Sequence, residues 1–154
     1  MCIRVLIADD QPRSRRSLKA LLTVLSWSTL SRAEHLPHAD SLSIEIVGEA
    51  ENGREAISQV QTLQPDVVVM DLHPRSVIAT VSATAAVPEP TLDGMATIQM
   101  IKSRWPAIRI VVLTMYATDR SSVLAAGADA FLLKGCPTQE LLDAVMPRPA
   151  DLPG

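Results

Sequence analysis

Asp66-Val67-Val68-Val69-Met70-Asp71 runs an apolar stretch straight into a carboxylate. Such a run reads as a strand buried on both faces that delivers Asp71 to its C-terminal end. In open parallel α/β sheets, ligands sit just beyond the carboxyl ends of the strands. A single Asp in this position is more simply a turn residue or a helix cap. Other runs in the chain end in the same way, however. Ile3-Arg4-Val5-Leu6-Ile7-Ala8 ends in Asp9-Asp10, Ile110-Val111-Val112-Leu113 ends in Thr114, and Ala130-Phe131-Leu132-Leu133 ends in Lys134. Parallel pairing would bring three carboxylates, a hydroxyl and an ammonium to one edge.

The intervening segments read as helices. Pro12 suits a first helical turn, and Leu18, Leu21, Leu22 and Leu25 recur at helical spacing, which predicts a helix over 12–25. Its exposed side would carry Arg13, Arg15, Arg16 and Lys19, a solvated face or a docking surface for an acidic or helical partner. Residues 26–43 show no clear period and read as a long loop. They hold His35 and His38, but Pro37 lies between these and no third ligand is evident. A second strand over 44–49 precedes Asn52-Gly53-Arg54-Glu55, which resembles a capping box. The second helix then turns Ala56, Ile57, Val60 and Leu63 inward and stops at Pro65.

Asp93-Gly94 starts a third helix, with Met95, Ile98 and Ile101 facing in. A fourth strand over 108–113 is followed by a helix over 118–126, closed by Gly127, and by the fifth strand, 130–133. The last helix starts near Thr138 and ends before Pro147, leaving 148–154 as a tail or linker stub. Five strands alternating with helices define an α/β fold, a doubly wound parallel sheet. Right-handed crossovers with one reversal give the order 2-1-3-4-5. The strands at the switch point are then those ending in Asp9-Asp10, Asp71 and Thr114.

With 154 residues the chain suffices for one sizeable core; apolar residues make up 47% but aromatic ones only 3%, so that core must be aliphatic. A net charge of −3 gives no general reason to expect nucleic-acid binding. The longest uncharged stretch, 76–88, would span about 20 Å as a helix, short of the ~30 Å hydrocarbon core of a membrane. No signal peptide opens the chain, and a cytoplasmic location is expected. Cys2 starts the first strand and Cys136 follows the last, too far apart to bridge, so both are expected as free thiols.

Clustered carboxylates repel unless a cation sits among them. All-oxygen ligands at an open site suit Mg²⁺, which takes one or two carboxylates, waters and a phosphate. With Lys134 as a second positive centre and Thr114 as a hydroxyl donor, the set suits phosphoryl transfer. Asp71, on the middle strand, is the natural acceptor, through an acyl phosphate. Taken singly, Asp10 could cap the first helix, Thr114 could be strand filler and Lys134 a solvated loop residue. Their joint placement at strand ends favours the functional reading.

These residues resemble the receiver domain of two-component response regulators, and in wording its NarL/LuxR-type branch. The matching segments are Val5-Leu6-Ile7-Ala8-Asp9-Asp10-Gln11-Pro12, Val67-Val68-Val69-Met70-Asp71-Leu72-His73, Leu92-Asp93-Gly94-Met95, Val111-Val112-Leu113-Thr114-Met115-Tyr116 and Gly127-Ala128-Asp129-Ala130-Phe131-Leu132-Leu133-Lys134-Gly135. The resemblance implies a CheY-like fold over 1–147, with insertions near 26–43 and 74–92. It implies that Asp9 and Asp10 organise Mg²⁺ with Asp71 and the His73 backbone carbonyl. Asp71 would take the phosphoryl group from a histidine kinase or phosphotransfer protein, with Thr114 and Lys134 on the phosphoryl oxygens. Phe131 matches the aromatic that responds to movement of Thr114, and His73 and Tyr116 match positions that tune dephosphorylation. The domain would be a signalling phosphoacceptor rather than an enzyme, forming at most a weak homodimer, with no nucleic acid or membrane bound by this chain itself.

The sequence departs from the family in four places. The Asp93-Gly94 pair follows Asp71 at a much longer interval than usual, and the 26–43 segment is a second insertion. The interval from Thr114 to Lys134 is slightly short, which predicts a clipped fourth helix. Gly135 stands where many members have a cis proline. The apolar, proline-bracketed 74–92 segment is expected to form a flap over or beside the phosphorylation edge, hindering a large donor more than a small one. If the flap blocked the site outright, the domain would be a binding module not controlled by phosphorylation. A haloacid-dehalogenase-like phosphohydrolase fits less well, because Gln11 stands where its second Asp belongs.

Overall fold

Side chains alternate between two buried clusters along the strands, and that alternation fixes which face each helix covers. The computed structural model describes residues 2–33, 43–71, 94–115 and 120–146. Within them β1 (Cys2–Ala8), β2 (Ser43–Ala50), β3 (Val67–Met70), β4 (Arg109–Thr114) and β5 (Ala130–Leu133) alternate with five helices. These are α1 (Pro12–Ala33), α2 (Gly53–Leu63), α3 (Gly94–Arg104), α4 (Arg120–Ala125) and α5 (Thr138–Val145). The strands form one parallel sheet in the expected order, β2-β1-β3-β4-β5.

Leu6, Val68, Met70, Ile110, Val112 and Phe131 pack with Ala56 and Val60 of α2, Ile98 and Ile101 of α3 and Val123 of α4. Val5, Ile7, Val67, Val69, Val111 and Leu113 pack with Leu18 and Leu22 of α1 and Leu141, Ala144 and Val145 of α5. A period of two along each strand therefore puts successive residues in opposite clusters. Burying a Val, Leu or Ile side chain stabilises by about 1.5–3 kcal/mol, so these two layers dominate the fold.

Helix α1 corrects one expectation. It runs to Ala33 rather than stopping near 25, so the first part of the segment read as a loop is helical. The apolar period fades there, but no Gly or Pro interrupts the stretch after Pro12 until Pro37. Loss of apolar period signals a change in what the helix packs against, whereas Gly or Pro would break it. Ser26 is buried, and its Oγ accepts from the Ile44 backbone N–H at 2.9 Å, pinning α1 to the start of β2. Residues 34–42, with His35 and His38, lie outside the described residues, as do 72–93 and therefore the 74–92 insertion.

The capping reading of Asn52 holds. Its Oδ1 accepts from the Glu55 N–H at 2.9 Å, and Glu55 Oε2 reaches back to the Glu51 N–H at 2.9 Å. At the other end Gln64 adopts the left-handed conformation (φ 48°) ahead of Pro65, and its side-chain amide covers the Val60 and Gln61 carbonyls at 3.0 and 3.1 Å. At the N-terminal edge of the sheet, Asp66 Oδ2 accepts from the Arg4 N–H (2.8 Å) and Asp129 Oδ2 from the Ile110 N–H (2.8 Å). Carboxylates on that edge serve the backbone.

Between β1 and β2 the register slips: Val5 pairs with Ile46 but Leu6 with Gly48, so Val47 is an extra residue, a β-bulge. Helix α2 crosses closely at this point. A Cβ on Gly48 would lie 2.4 Å from Gln59 Oε1 and 2.7 Å from Leu63 Cδ1. Gln59 is not free to yield, because its Nε2 donates to the Glu49 carbonyl (2.6 Å) and to Glu55 Oε1 (3.1 Å). Gly48→Ala should therefore destabilise the domain by about 1–2 kcal/mol through overpacking. A urea titration reads this as a lower midpoint at unchanged slope; an unchanged midpoint would show that α2 gives way freely.

Candidate functional site

At the C-terminal edge of the sheet the carboxylates serve something else. Ala8 and Met70 are register partners on β1 and β3, so the residues after them, Asp9 and Asp71, emerge side by side. The Asp71 N–H donates to the Ala8 carbonyl at 2.9 Å, and the Asp9 N–H to the Ala50 carbonyl at 2.9 Å, extending the ladder past the formal strand ends. Both acids are nearly out of solvent: Asp9 is 3% exposed, and so is the Asp71 side chain. Two buried carboxylates at this spacing need a positive partner.

Lys134 is that partner. Its Nζ hydrogen-bonds and pairs with Asp71 Oδ2, and stands 3.7 Å from Asp9 Oδ2. A tight turn after β5 presents it. The Lys134 N–H donates to the Thr114 carbonyl (2.7 Å), and the Cys136 N–H closes the turn on the Leu133 carbonyl (3.0 Å). Gly135 occupies the third position of that turn at φ +88°, the backbone that a type II turn requires and that side-chain-bearing residues resist. Gly135 thus supplies the turn by its own freedom. Burial pushes the Cys136 thiol up from its ordinary value, Glu140 adds to this and a backbone hydrogen bond opposes it. The thiol stays protonated at neutral pH and is a poor nucleophile.

Thr114 ends β4 at the same edge and is 3% exposed, and Phe131 of β5 is buried in the α2–α4 cluster. Asp10 is brought to the edge but lies exposed on the loop between β1 and α1. Among the described residues no three His, Cys, Asp or Glu side chains gather as a metal cluster. The expected convergence of three carboxylates is therefore a pair around an ammonium, with the third acid alongside. His73 and Tyr116 lie outside the described residues.

The loop that holds Asp9 is braced on both sides. Asp9 Oδ1 accepts from the Gln11 N–H at 2.8 Å, folding the loop over its own carboxylate. Arg15 donates from Nη1 to the Asp9 carbonyl oxygen (2.8 Å) and pairs through Nη2 with Glu51 (3.3 Å) and through Nε with Glu49 (3.9 Å). Its side chain is only 13% exposed, so Arg15 does not belong to the solvated basic face expected of α1. Lys19 also pairs with Glu49, at 3.2 Å, but it is half exposed and that pair adds little. Sequence reasoning missed both Arg15 and Ser14, whose Oγ accepts from Lys134 Nζ at 2.6 Å.

Comparison with known proteins finds relatives in sequence and in fold. The family model described as the response regulator receiver domain matches residues 87–146. The response regulator protein VraR of Staphylococcus aureus is 29% identical over 147 residues, covering 94% of this chain and 56% of VraR. The chain thus spans just over half the length of the curated relatives it matches. Among solved structures, a LuxR-family two-component response regulator from Aurantimonas sp. SI85-9A1 superposes with a TM-score of 0.63 at 24% identity, covering 94% of this chain and 83% of that one. A chain of the CheX–CheY–BeF3–Mg²⁺ complex from Borrelia burgdorferi reaches 0.65 at 19% identity, covering 94% and 87%. The chain is thus similar in sequence to response regulators and in fold to their receiver domains.

Removing the ammonium takes the shared cation away from two buried acids. Lys134→Met should cost about 3 kcal/mol of folding stability at neutral pH. In an Asp71→Asn background the same substitution should cost at least about 1 kcal/mol less, which a double-mutant cycle by chemical denaturation reads directly. Equal costs in both backgrounds would mean that Lys134 is not held by its pairing with Asp71.

Proposed function

We propose that this chain is a phospho-accepting receiver in which Asp71 takes a phosphoryl group from a histidine kinase or phosphotransfer protein, with Mg²⁺ bound at the same edge. The observation that carries this reading is the ammonium of Lys134 set between two buried carboxylates from neighbouring strands. In the reaction an Asp71 oxygen forms a bond to phosphorus as the bond from phosphorus to the donor imidazole nitrogen breaks. Lys134 and the Thr114 hydroxyl then take the phosphoryl oxygens, so the transferred charge meets donors already in place.

The donor set fits a divalent ion. Among the described residues Asp9 Oδ2 is buried and accepts no hydrogen bond, and the Lys134 ammonium is shared between Asp9 and Asp71. Asp9, Asp10, Asp71 and the His73 carbonyl would hold Mg²⁺, an all-oxygen set of the kind that ion prefers. Bound there, Mg²⁺ would offset the negative charge between Asp71 and the incoming phosphoryl group. That the Borrelia complex contains both BeF3 and Mg²⁺ supports the same assignment here.

Thr114 and Phe131 are the switch in this reading. Phe131 is already only 9% exposed, so its response to Thr114 is a shift within a buried site rather than a swing in from solvent. The neighbouring surface has exposed Met115 (64%), Leu133 (42%) and Leu124 (38%), which suits readout by a partner or by a second copy. With α5 only 8 residues long, a dimer built on that helix would be weak. His73 and Tyr116 would tune the lifetime of the acyl phosphate. The receiver would cover 1–147 with 148–154 as a tail, in the NarL/LuxR-type branch, working in the cytoplasm. No helix among the described residues is long and apolar enough to cross a membrane.

Incubation with acetyl phosphate and Mg²⁺ should add one phosphoryl group, measured by intact-mass spectrometry; Asp71→Asn or EDTA should abolish it. Label that persists in the mutant would place the acceptor elsewhere. Methyl and ring NMR should show the Phe131 environment changing on addition of beryllium fluoride with Mg²⁺. A Phe131 signal indifferent to that mimic would remove it from the switch.

A further inference from the structure

The first turn of α1 contributes a group to this site that the strand-end pattern did not reveal. Three hydroxyls elsewhere on the helices turn back on their own backbone: Thr23 donates to the Lys19 carbonyl (2.8 Å), Thr62 to Ser58 (3.0 Å) and Ser103 to Met100 (2.9 Å). That local bond is the usual fate of a helical Ser or Thr. Ser14 sits in the first turn of α1, where the residue four back, Asp10, precedes the helix. Its Oγ instead accepts from Lys134 Nζ at 2.6 Å, across 120 positions of sequence.

An ammonium has three N–H donors, and those of Lys134 have three oxygens around them: Asp71 Oδ2, Asp9 Oδ2 and Ser14 Oγ. The two carboxylates are the groups whose charge changes when a phosphoryl group or a cation arrives. Ser14 is neutral and is the one whose hold need not change. Arg15, the next residue, locks this turn of helix to the Asp9 carbonyl at 2.8 Å, so the hydroxyl stands on a braced support.

We propose that Ser14 is a positioning residue for Lys134, keeping its ammonium aimed at the Asp71 carboxylate while the charges around it are exchanged. This rests on the reading of Asp71 as phosphoacceptor. The side chain acts through Lys134 and not on the donor, so losing it should slow the chemical step and leave donor binding alone.

The test compares phosphorylation by acetyl phosphate with Mg²⁺ across wild type, Ser14→Ala and Ser14→Thr, with urea midpoints measured alongside. Ser14→Ala should lower the maximal labelling rate roughly tenfold, as expected for a hydrogen bond to a charged group. The half-saturating acetyl phosphate and the urea midpoint should stay unchanged, and Ser14→Thr, which keeps the hydroxyl, should restore the rate. A labelled wild type with Ser14→Ala equally fast would overturn the role of Ser14 and leave the receiver reading standing. So would a slow Ser14→Ala that Thr does not rescue, or one whose rate loss follows a lowered midpoint. A wild type that takes no label would overturn the receiver reading itself, and the role of Ser14 with it.

Discussion

Two buried carboxylates, one from the end of β1 and one from the end of β3, share the ammonium that β5 supplies, and the architecture is what makes that contact available. Parallel pairing puts Asp9 and Asp71 one residue past the register pair Ala8 and Met70. The turn through Gly135 returns Lys134 over the same edge. Within a buried site a lone carboxylate would be costly, and two would be worse. The pairing therefore reconciles a charged edge with an apolar sheet of Val, Ile and Leu. Among the described residues the Lys134 ammonium is shared by these two acids, with Asp10 alongside on the same edge.

The same residue type does opposite work at the two ends of the sheet. Asp66 and Asp129, at the N-terminal edge, hold backbone N–H groups of Arg4 and Ile110, and Asp129 is further fixed by Lys102 at 2.7 Å. Those acids complete the ladder and stabilise the fold. Asp9 instead has one oxygen turned to the Gln11 N–H and the other, Oδ2, with no hydrogen-bond donor among the described residues. That oxygen is instead faced by the Lys134 ammonium at 3.7 Å, so it serves the charge pairing at this edge rather than the backbone.

Much of this was legible from residues alone. β3, β4 and β5 are short apolar runs ending in a polar residue, and the strand order follows from chain alternation and handedness. Because each run ends at the same edge, Asp9, Asp71, Thr114 and Lys134 could be grouped before any geometry was known. Helix α1 was less legible: its apolar period fades after Leu25 although nothing stops it, and Ser26, where the extension begins, accepts from the Ile44 N–H of β2. Ser14 and Arg15 could not be found at all. Their partners lie on other elements, and whether a first-turn hydroxyl points back along its helix or across to a lysine depends on how α1 docks. The β2 bulge at Val47 belongs to the same class, since it answers the approach of α2 over Gly48.

A crystal structure of the chain with Mg²⁺ and beryllium fluoride tests most directly whether the Lys134 ammonium holds the place of the incoming charges. The fluoroberyllate should sit on Asp71, with the metal among Asp9 and Asp10. Lys134 should leave Asp9 for a fluorine while keeping its bond to Ser14. A complex in which Lys134 still bridges Asp9 and Asp71, or in which the anion binds away from Asp71, would show that this ion pair is only part of the scaffold.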